Sequence, residues 1–207
     1  LSRKMYMLAR GDGRNAPRTN GEYWLLKEVN KKKNSTNVLF DVGANKGDWT
    51  AEALKLSSSS KPVQIHAFEP SRVTRSLFQE RFSGNDAVVV YSYALADSSG
   101  EATFYSDEEG AGTNSLSPVS GQNTETVQLN TFDEFISGNT IRAVTMLKID
   151  TEGFDLYVLR GASASLSAGV IEVIQFEYNW RWLLNPASLR DVFELIEEKP
   201  YRFGKLV

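Results

Sequence analysis

Short apolar runs alternate with stretches of helical pattern along most of the chain. Residues 38–41 read as a strand, and a helical pattern opens at Asp48 and runs to about residue 56, where the serines of 57–60 form a loop. A second strand covers 63–69. Pro70 breaks it and favours a helix from near Ser71 to about Phe82, after which Gly84-Asn85-Asp86 makes a turn and 87–92 a third strand. Upstream, Asn20 caps a helix over 21–33, with Trp24, Leu25 and Val29 as its apolar stripe and the basic run Lys31, Lys32 and Lys33 at the end where cations are favoured. Residues 1–19 mix basic residues with Gly11, Gly13 and Pro17 and read as a loose arm with one helical turn near 4–9.

Strands alternating with helices argue for a parallel α/β sheet. The pattern then changes. Residues 101–105 and 124–129 look like two antiparallel strands, separated by 107–122, rich in Gly, Ser and Asn. That connection is longer than ordinary ones. It reads either as a binding loop or lid, or as a plain hairpin tip. Thr131-Phe132-Asp133-Glu134 matches a capping box and starts a short helix. A strand over 143–150, a helix over 154–166 ending at Gly169, a strand over 170–178 and a helix over 187–198 stopped by Pro200 follow. Residues 201–207 are left for one more strand. The expected architecture is an N-terminal arm, 1–19, and one α/β domain, 20–207. Its central sheet is mostly parallel, with helices on both faces and an inserted β-hairpin or lid.

Composition narrows the chemistry. The chain has 207 residues and a formal charge of −3, which gives no electrostatic reason to expect a nucleic-acid partner. Without cysteine there is no disulfide and no thiol catalysis, and with one histidine a zinc site built on imidazoles is not expected. No apolar run approaches the length of a membrane span, and the first residues lack a signal-peptide apolar core, so a cytoplasmic protein with no membrane partner is expected. Leu1 is not a natural start, and the N-terminus is taken as trimmed or processed.

The stretch Asp41-Val42-Gly43-Ala44-Asn45-Lys46-Gly47 joins the first strand to its helix. A strand, a tight glycine turn and a helix start form a ligand cradle at the C-terminal edge of a parallel sheet. Gly43 and Gly47 tolerate positive φ and close backbone approach, Asn45 is at ease in the left-handed region, and amides near Gly47 and Asp48 would point at the ligand. An acid precedes the turn, and the G-x-G-x-x-G of a dinucleotide site is absent. Such a turn suits hydroxyls or an ammonium better than a pyrophosphate.

The other strand ends repeat the theme. Asp41, Glu69, Asp150 and Glu177 stand at or beside them, and Asp97 follows the third in Tyr93-Ala94-Leu95-Ala96-Asp97. Crowded acids need a cation or hydrogen-bond donors among them. Glu69 is placed to accept from both hydroxyls of a ribose. Ala94 is small enough for a flat ring to approach, and Asp97 either accepts from such a ring's amine or belongs to the turn at 98–100. In Lys148-Ile149-Asp150-Thr151-Glu152-Gly153-Phe154-Asp155, Lys148 lies near the end of a central strand, where an ammonium needs a partner. It forms either an ion pair under the loop or a catalytic cluster with Asp150 and Glu152. Glu177 and Asn179 end the last strand on the same side and bind an acceptor or complete that cluster. Trp180 and Trp182 wall an acceptor pocket or pack. His66 reads as a packed histidine. Asp150, Glu152 and Asp155 would suit a hard cation, but Asp155 also suits a helix start, and no metal is assigned.

The turn at 41–47, Phe68-Glu69-Pro70 and the 148–153 segment together resemble S-adenosylmethionine-dependent methyltransferases. Over about residues 20–200 the chain is similar to the FkbM-type O-methyltransferase family. The resemblance implies a Rossmann-like class I fold with S-adenosyl-L-methionine as cofactor. It implies that Asp41, Gly43, Ala44 and Asn45 hold the methionine end, that Glu69 beside Pro70 takes the ribose, and that the segment around Ala94 borders the adenine. The signature at 148–155 then carries the chemistry on a small-molecule or carbohydrate hydroxyl. Asp150 is the first candidate base and Glu152 the next, with Lys148 orienting the carboxylate or stabilising oxyanion charge. The family's sheet normally closes with two strands after the last helix, whereas residues here suffice for one. Two rivals remain: a nicotinamide- or flavin-dependent oxidoreductase, and a nucleoside-binding domain without activity.

Overall fold

Five of the apolar runs pair as one parallel sheet in a computed structural model that describes residues 16–31, 36–58, 60–106, 116 and 123–206. The helical turn expected at 4–9 and all of 107–122 except Leu116 lie outside the described residues. In chain order the strands are β1 (Asn37–Val42), β2 (Val63–Phe68), β3 (Val88–Tyr91), β4 (Ala94–Ala96), β5 (Gly100–Ser106), β6 (Asn123–Thr131), β7 (Val144–Ile149) and β8 (Ile171–Phe176). The main sheet has the order β3-β2-β1-β7-β8, and β4-β6-β5 make a second, three-stranded sheet. The chain steps outward from β1 to β2 and β3, then returns to the other side of β1 with β7. The switch point between β1 and β7 is where open α/β sheets bind ligands, at the carboxyl ends of the strands.

Alternation along the strands sends apolar residues to both faces. On one, Leu39, Ile65 and Met146 pack under α1 (Glu22–Lys31) and α2 (Asp48–Leu54). On the other, Phe40, Phe68, Leu147 and Ile149 meet α4 (Phe132–Gly138) and α5 (Asp155–Arg160). The helix between them in sequence, α3 (Arg72–Arg81), is capped by Ser71, whose side chain accepts from the Thr74 amide. The capping box expected at Thr131 is formed with Glu134. Asn20 caps α1, its side-chain oxygen accepting from the Glu22 amide at 3.0 Å. Among the described residues no helix is long and apolar enough to cross a membrane.

Four expectations are corrected. Trp24 is 58% exposed, and the buried stripe of α1 is Leu26 and Val29. The single helix expected over 154–166 is two, α5 and α6 (Ser163–Ser167). They part at Gly161, where any Cβ would collide with the Ala96 carbonyl oxygen of β4. Residues 179–186, left without an element between the strand expected over 170–178 and the helix expected over 187–198, contain a 3-10 helix, Trp180–Leu184. Residues 201–206 form no strand. They dock by side chains, with the Tyr201 hydroxyl donating to the Ile171 carbonyl at 2.8 Å and Phe203 against Phe176 and Phe193 of α7 (Leu189–Ile196).

His66 packs as expected, between Phe40, Phe135 and Tyr91, with Nδ1 3.0 Å from the Tyr91 hydroxyl. Its Nε2 is buried with no partner among the described residues, and burial pushes the imidazole pKa down. A depressed histidine pKa contributes stability above the unfolded value, roughly 6.5, and loses it as pH falls towards the folded one. Denaturant unfolding at pH 7.5 and 5.5 is expected to show His66→Phe gaining stability relative to the wild-type at the lower pH, the buried acids common to both cancelling in the comparison. Equal pH dependence in both proteins would contradict this.

Candidate functional site

At the switch point Asp41 of β1 is the register partner of Lys148 of β7. Lys148 Nζ donates to Asp41 Oδ1 at 3.0 Å and to the Gly43 carbonyl at 3.3 Å, and lies 3.4 Å from Asp150 Oδ2. The other Asp41 oxygen accepts from the Thr50 hydroxyl at 2.8 Å. The pair is sealed, with side chains 5% and 0% exposed. Burial alone would lower the lysine pKa, but Asp41, then Asp150, outweigh it and hold the pKa raised. Lys148 therefore stays charged and joins three segments: the end of β1, the glycine turn and the loop after β7.

The turn places its backbone against that loop. Gly43 has φ +76°, and a Cβ there would collide with the Asp150 carbonyl oxygen. Asn45 is left-handed at φ +48° and donates its amide to Glu69 Oε2 at 2.9 Å. Its own Oδ1 is buried with no partner among the described residues. Glu69 Oε1 accepts from the Ser71 amide at 3.0 Å, so this one carboxylate ties the turn after β1 to the turn after β2. Burial pushes the Glu69 pKa up to about 7, against the pull of those two amides.

The loop after β7 is strapped to the end of β8. Asp155 is fully buried. Its Oδ2 accepts from the Thr151 hydroxyl at 3.1 Å and the Gly153 amide at 3.3 Å, and its Oδ1 from the Glu177 amide at 3.2 Å. Burial first, and the Asp150 charge next, raise its pKa to about 8. Arg181 bridges Glu152 at 3.0 Å, and Asn185 Nδ2 donates to the Gly153 carbonyl at 3.1 Å. Asp150, Glu152 and Glu177 consequently bring carboxylate oxygens within 4.8 Å of one another. A hard cation takes such a donor set. Arg181 and the Asn179 amide, 2.7 Å from Glu177 Oε2, already offset part of its charge. Burial, then the Asp150 and Glu152 charges, raise the Glu177 pKa to about 7. Asp155 faces inward, away from the cation-binding role its sequence position suggested.

These segments border a cleft that is partly open to solvent. Its polar lining is Gly43, Asn45, Glu69, Asp150, Thr151 and Glu152, and its apolar lining includes Pro70, Ala94, Leu95, Phe104 and Leu116. Of the residues singled out in the sequence, the cleft gathers Gly43, Asn45, Glu69, Pro70, Ala94, Asp150 and Glu152. Asp41 and Lys148 stand behind it, and Ala44 and Gly47 are buried against α3, Gly47 under the Phe78 and Phe82 rings. Asp97 is exposed in its turn, within reach of the Ser98 hydroxyl. Trp180 is 64% exposed with the Arg181 guanidinium 5.3 Å from its ring centroid, whereas Trp182 is core. Sequence reasoning missed Phe104 and Phe154 on the wall, and Glu22. Glu22 shares the buried face of α1 with Leu26 and Val29, a spacing visible in the sequence. Its pKa is raised by burial, in the field of Lys148, Asp150 and Asp41.

The profile described as "Methyltransferase FkbM domain" matches residues 41–203. The hexuronic acid methyltransferase AglP of Haloferax volcanii is 26% identical over 149 residues, 72% of this chain and 59% of that protein. The crystal structure of the methyltransferase FkbM from Methylobacillus flagellatus KT superposes with a TM-score of 0.56 at 18% identity, over 86% of this chain and 42% of that one. This likeness agrees with the Rossmann-like α/β sheet described above. The chain spans little more than half of the curated relative it matches.

Proposed function

Because the chain belongs to the FkbM methyltransferase family, we propose that it moves a methyl group from S-adenosyl-L-methionine to a hydroxyl oxygen of a small molecule or sugar. The observation that carries this reading is the Asn45–Glu69 pair. A buried carboxylate, and a buried amide oxygen with no partner among the described residues, line one cleft, and both have room to accept further hydrogen bonds. Ribose hydroxyls supply donors to Glu69, and an ammonium supplies them to the polar lining. The cofactor fits that arrangement: Gly43 and Asn45 would hold its amino-acid end, Glu69 its ribose, and the lining around Ala94 its base. When bound it supplies a methyl group already activated on a sulfonium.

The chain's own part is to hold an acceptor oxygen in line and to take its proton. Positioning of this kind contributes several kcal/mol to rate. Asp150 is the candidate base, since its side chain is 42% exposed and lines the cleft while Lys148 holds its other side. Glu152 is the second candidate, already engaged by Arg181. Glu177 and Asn179 flank them at the end of β8 and would bind acceptor hydroxyls, with the exposed Trp180 ring as an adjacent wall. AglP is named for a hexuronic acid, and a sugar acceptor is in keeping with it. The test is a radiolabelled-methyl screen over neutral sugars, uronic acids and small polyols. Nucleoside binding with no transfer to any of them would favour the inactive reading.

Glu69 ties the reading to pH. Its pKa near 7 lies above the usual 4.5, so in the free protein it contributes stability at acid pH that is lost as pH rises through 7. Hydroxyl donors favour the ionised form. Affinity for S-adenosylhomocysteine is therefore expected to fall as pH drops from 8 to 6, by up to about tenfold per unit below 7. Calorimetric titration across that range should show the slope in the wild-type and a flat profile in Glu69→Gln. A flat wild-type profile would remove Glu69 from the ribose role.

A further inference from the structure

Part of the cleft's apolar lining comes from the second sheet, which the main sheet does not require. In the β5–β6 ladder Ala102 faces Val127 and Phe104 faces Glu125, and directly opposed residues share a side. Thr103, Thr124, Thr126 and Gln128 point the other way and are exposed, so the Phe104 side is the inner one. Phe104 is 5% exposed, yet it belongs to none of the three apolar core clusters, and among the described residues no aromatic ring lies against it. It lines the cleft, as do Ala94, Leu95 and Pro70.

Glu125 is the odd member of that inner face, an acid in line with Val127 and Leu129. Both of its oxygens lie 3.3 Å from the Arg72 amide, the first N–H of α3, which has no partner within the helix. An acid at a helix N-terminus is favoured, and this one clips the hairpin to the segment that carries Glu69, Pro70 and Ser71. Phe104 and the ribose-facing carboxylate are thereby held in one frame.

We propose that Phe104 is the base-contacting, specificity-determining residue of the cleft, selecting a purine nucleoside, and that Glu125 is the positioning residue that fixes it there. The inference rests on the nucleoside reading above and adds the inserted hairpin to it. A flat base with one face on Phe104 and an edge near Ala94 is sheltered from water, and its ribose reaches Glu69. A residue from outside the parallel sheet then decides which nucleosides are held.

The test is calorimetric titration of S-adenosylhomocysteine into the wild-type, Phe104→Ala, Phe104→Trp and Glu125→Gln, with a thermal melt of each. The wild-type is expected to bind, and Phe104→Ala to bind at least tenfold more weakly. Phe104→Trp should keep its affinity and show tryptophan emission that is quenched at saturation relative to the wild-type. Glu125→Gln should lose affinity several-fold with a melting temperature lowered by only about 1–4 °C, a loss of affinity that a merely stabilising contact would not produce. If the wild-type does not bind, the nucleoside reading itself falls. If it binds while Phe104→Ala binds equally well and the Phe104→Trp emission is unmoved at saturation, the hairpin wall is overturned and the nucleoside reading stands.

Discussion

Lys148→Met is expected to destabilise the protein by about 3–5 kcal/mol, the usual result of stranding one member of a buried ion pair. The reason is Asp41. It is fully buried, and among the described residues the Thr50 hydroxyl is the one other side chain bonded to it. Methionine fills the lysine's volume without supplying charge, so the loss is electrostatic rather than a cavity effect. For a domain of this size the melting temperature should fall by roughly 10 °C. A further result follows. Lys148→Met combined with Asp41→Asn should recover part of the loss, since the two residues act as one unit. Denaturant unfolding of the wild-type and the two variants measures both. A Lys148→Met protein as stable as the wild-type would show that the pair does not hold β1 to β7.

Asp150→Asn is expected to reduce methyl transfer by about 10²–10⁴-fold while S-adenosylhomocysteine affinity stays within a few-fold. The two readouts separate because of geometry. Asp150 offers the cleft a half-exposed carboxylate, and its ion pair with Lys148, at 3.4 Å, is longer than the Asp41–Lys148 bond of 3.0 Å. Asparagine keeps the shape and removes the basicity. Glu152→Gln should have the smaller effect on turnover, because Arg181 already engages that carboxylate. Turnover with the acceptor found in the labelled-methyl screen, and calorimetry for the nucleoside, are the two measurements. Unchanged turnover in Asp150→Asn would take it out of the mechanism.

The parts of this site that could be read from the sequence are those encoded locally. The glycine turn after β1 announces itself by residue type, because a left-handed backbone needs glycine or asparagine at Gly43, Asn45 and Gly47. Acids at strand ends show themselves by position, and Lys148 by its presence in a strand that ought to be apolar. The features that escaped are set by contacts distant in sequence. Which face of α1 is buried depends on the sheet beneath it, so Trp24 looked like core and Glu22 like surface. Glycine is required at 161 because the carbonyl of Ala96 lies where its side chain would be. The three-residue β4 is a strand only through its pairing with β6. Asp155 carries the same side chain at a helix start whether it faces water or, as here, holds the loop after β7 to the end of β8. Phe104 is an ordinary strand phenylalanine until the hairpin is laid across the cleft.

The most direct measurement is a calorimetric titration of the wild-type chain with S-adenosylhomocysteine at pH 8, repeated with Glu69→Gln. Saturable binding at one site, weakened about tenfold or more in the variant by loss of a charge-assisted hydrogen bond, is the predicted result. No binding to the wild-type, or equal binding to both proteins, would contradict the assignment of the cleft between the acidic strand ends to a nucleoside.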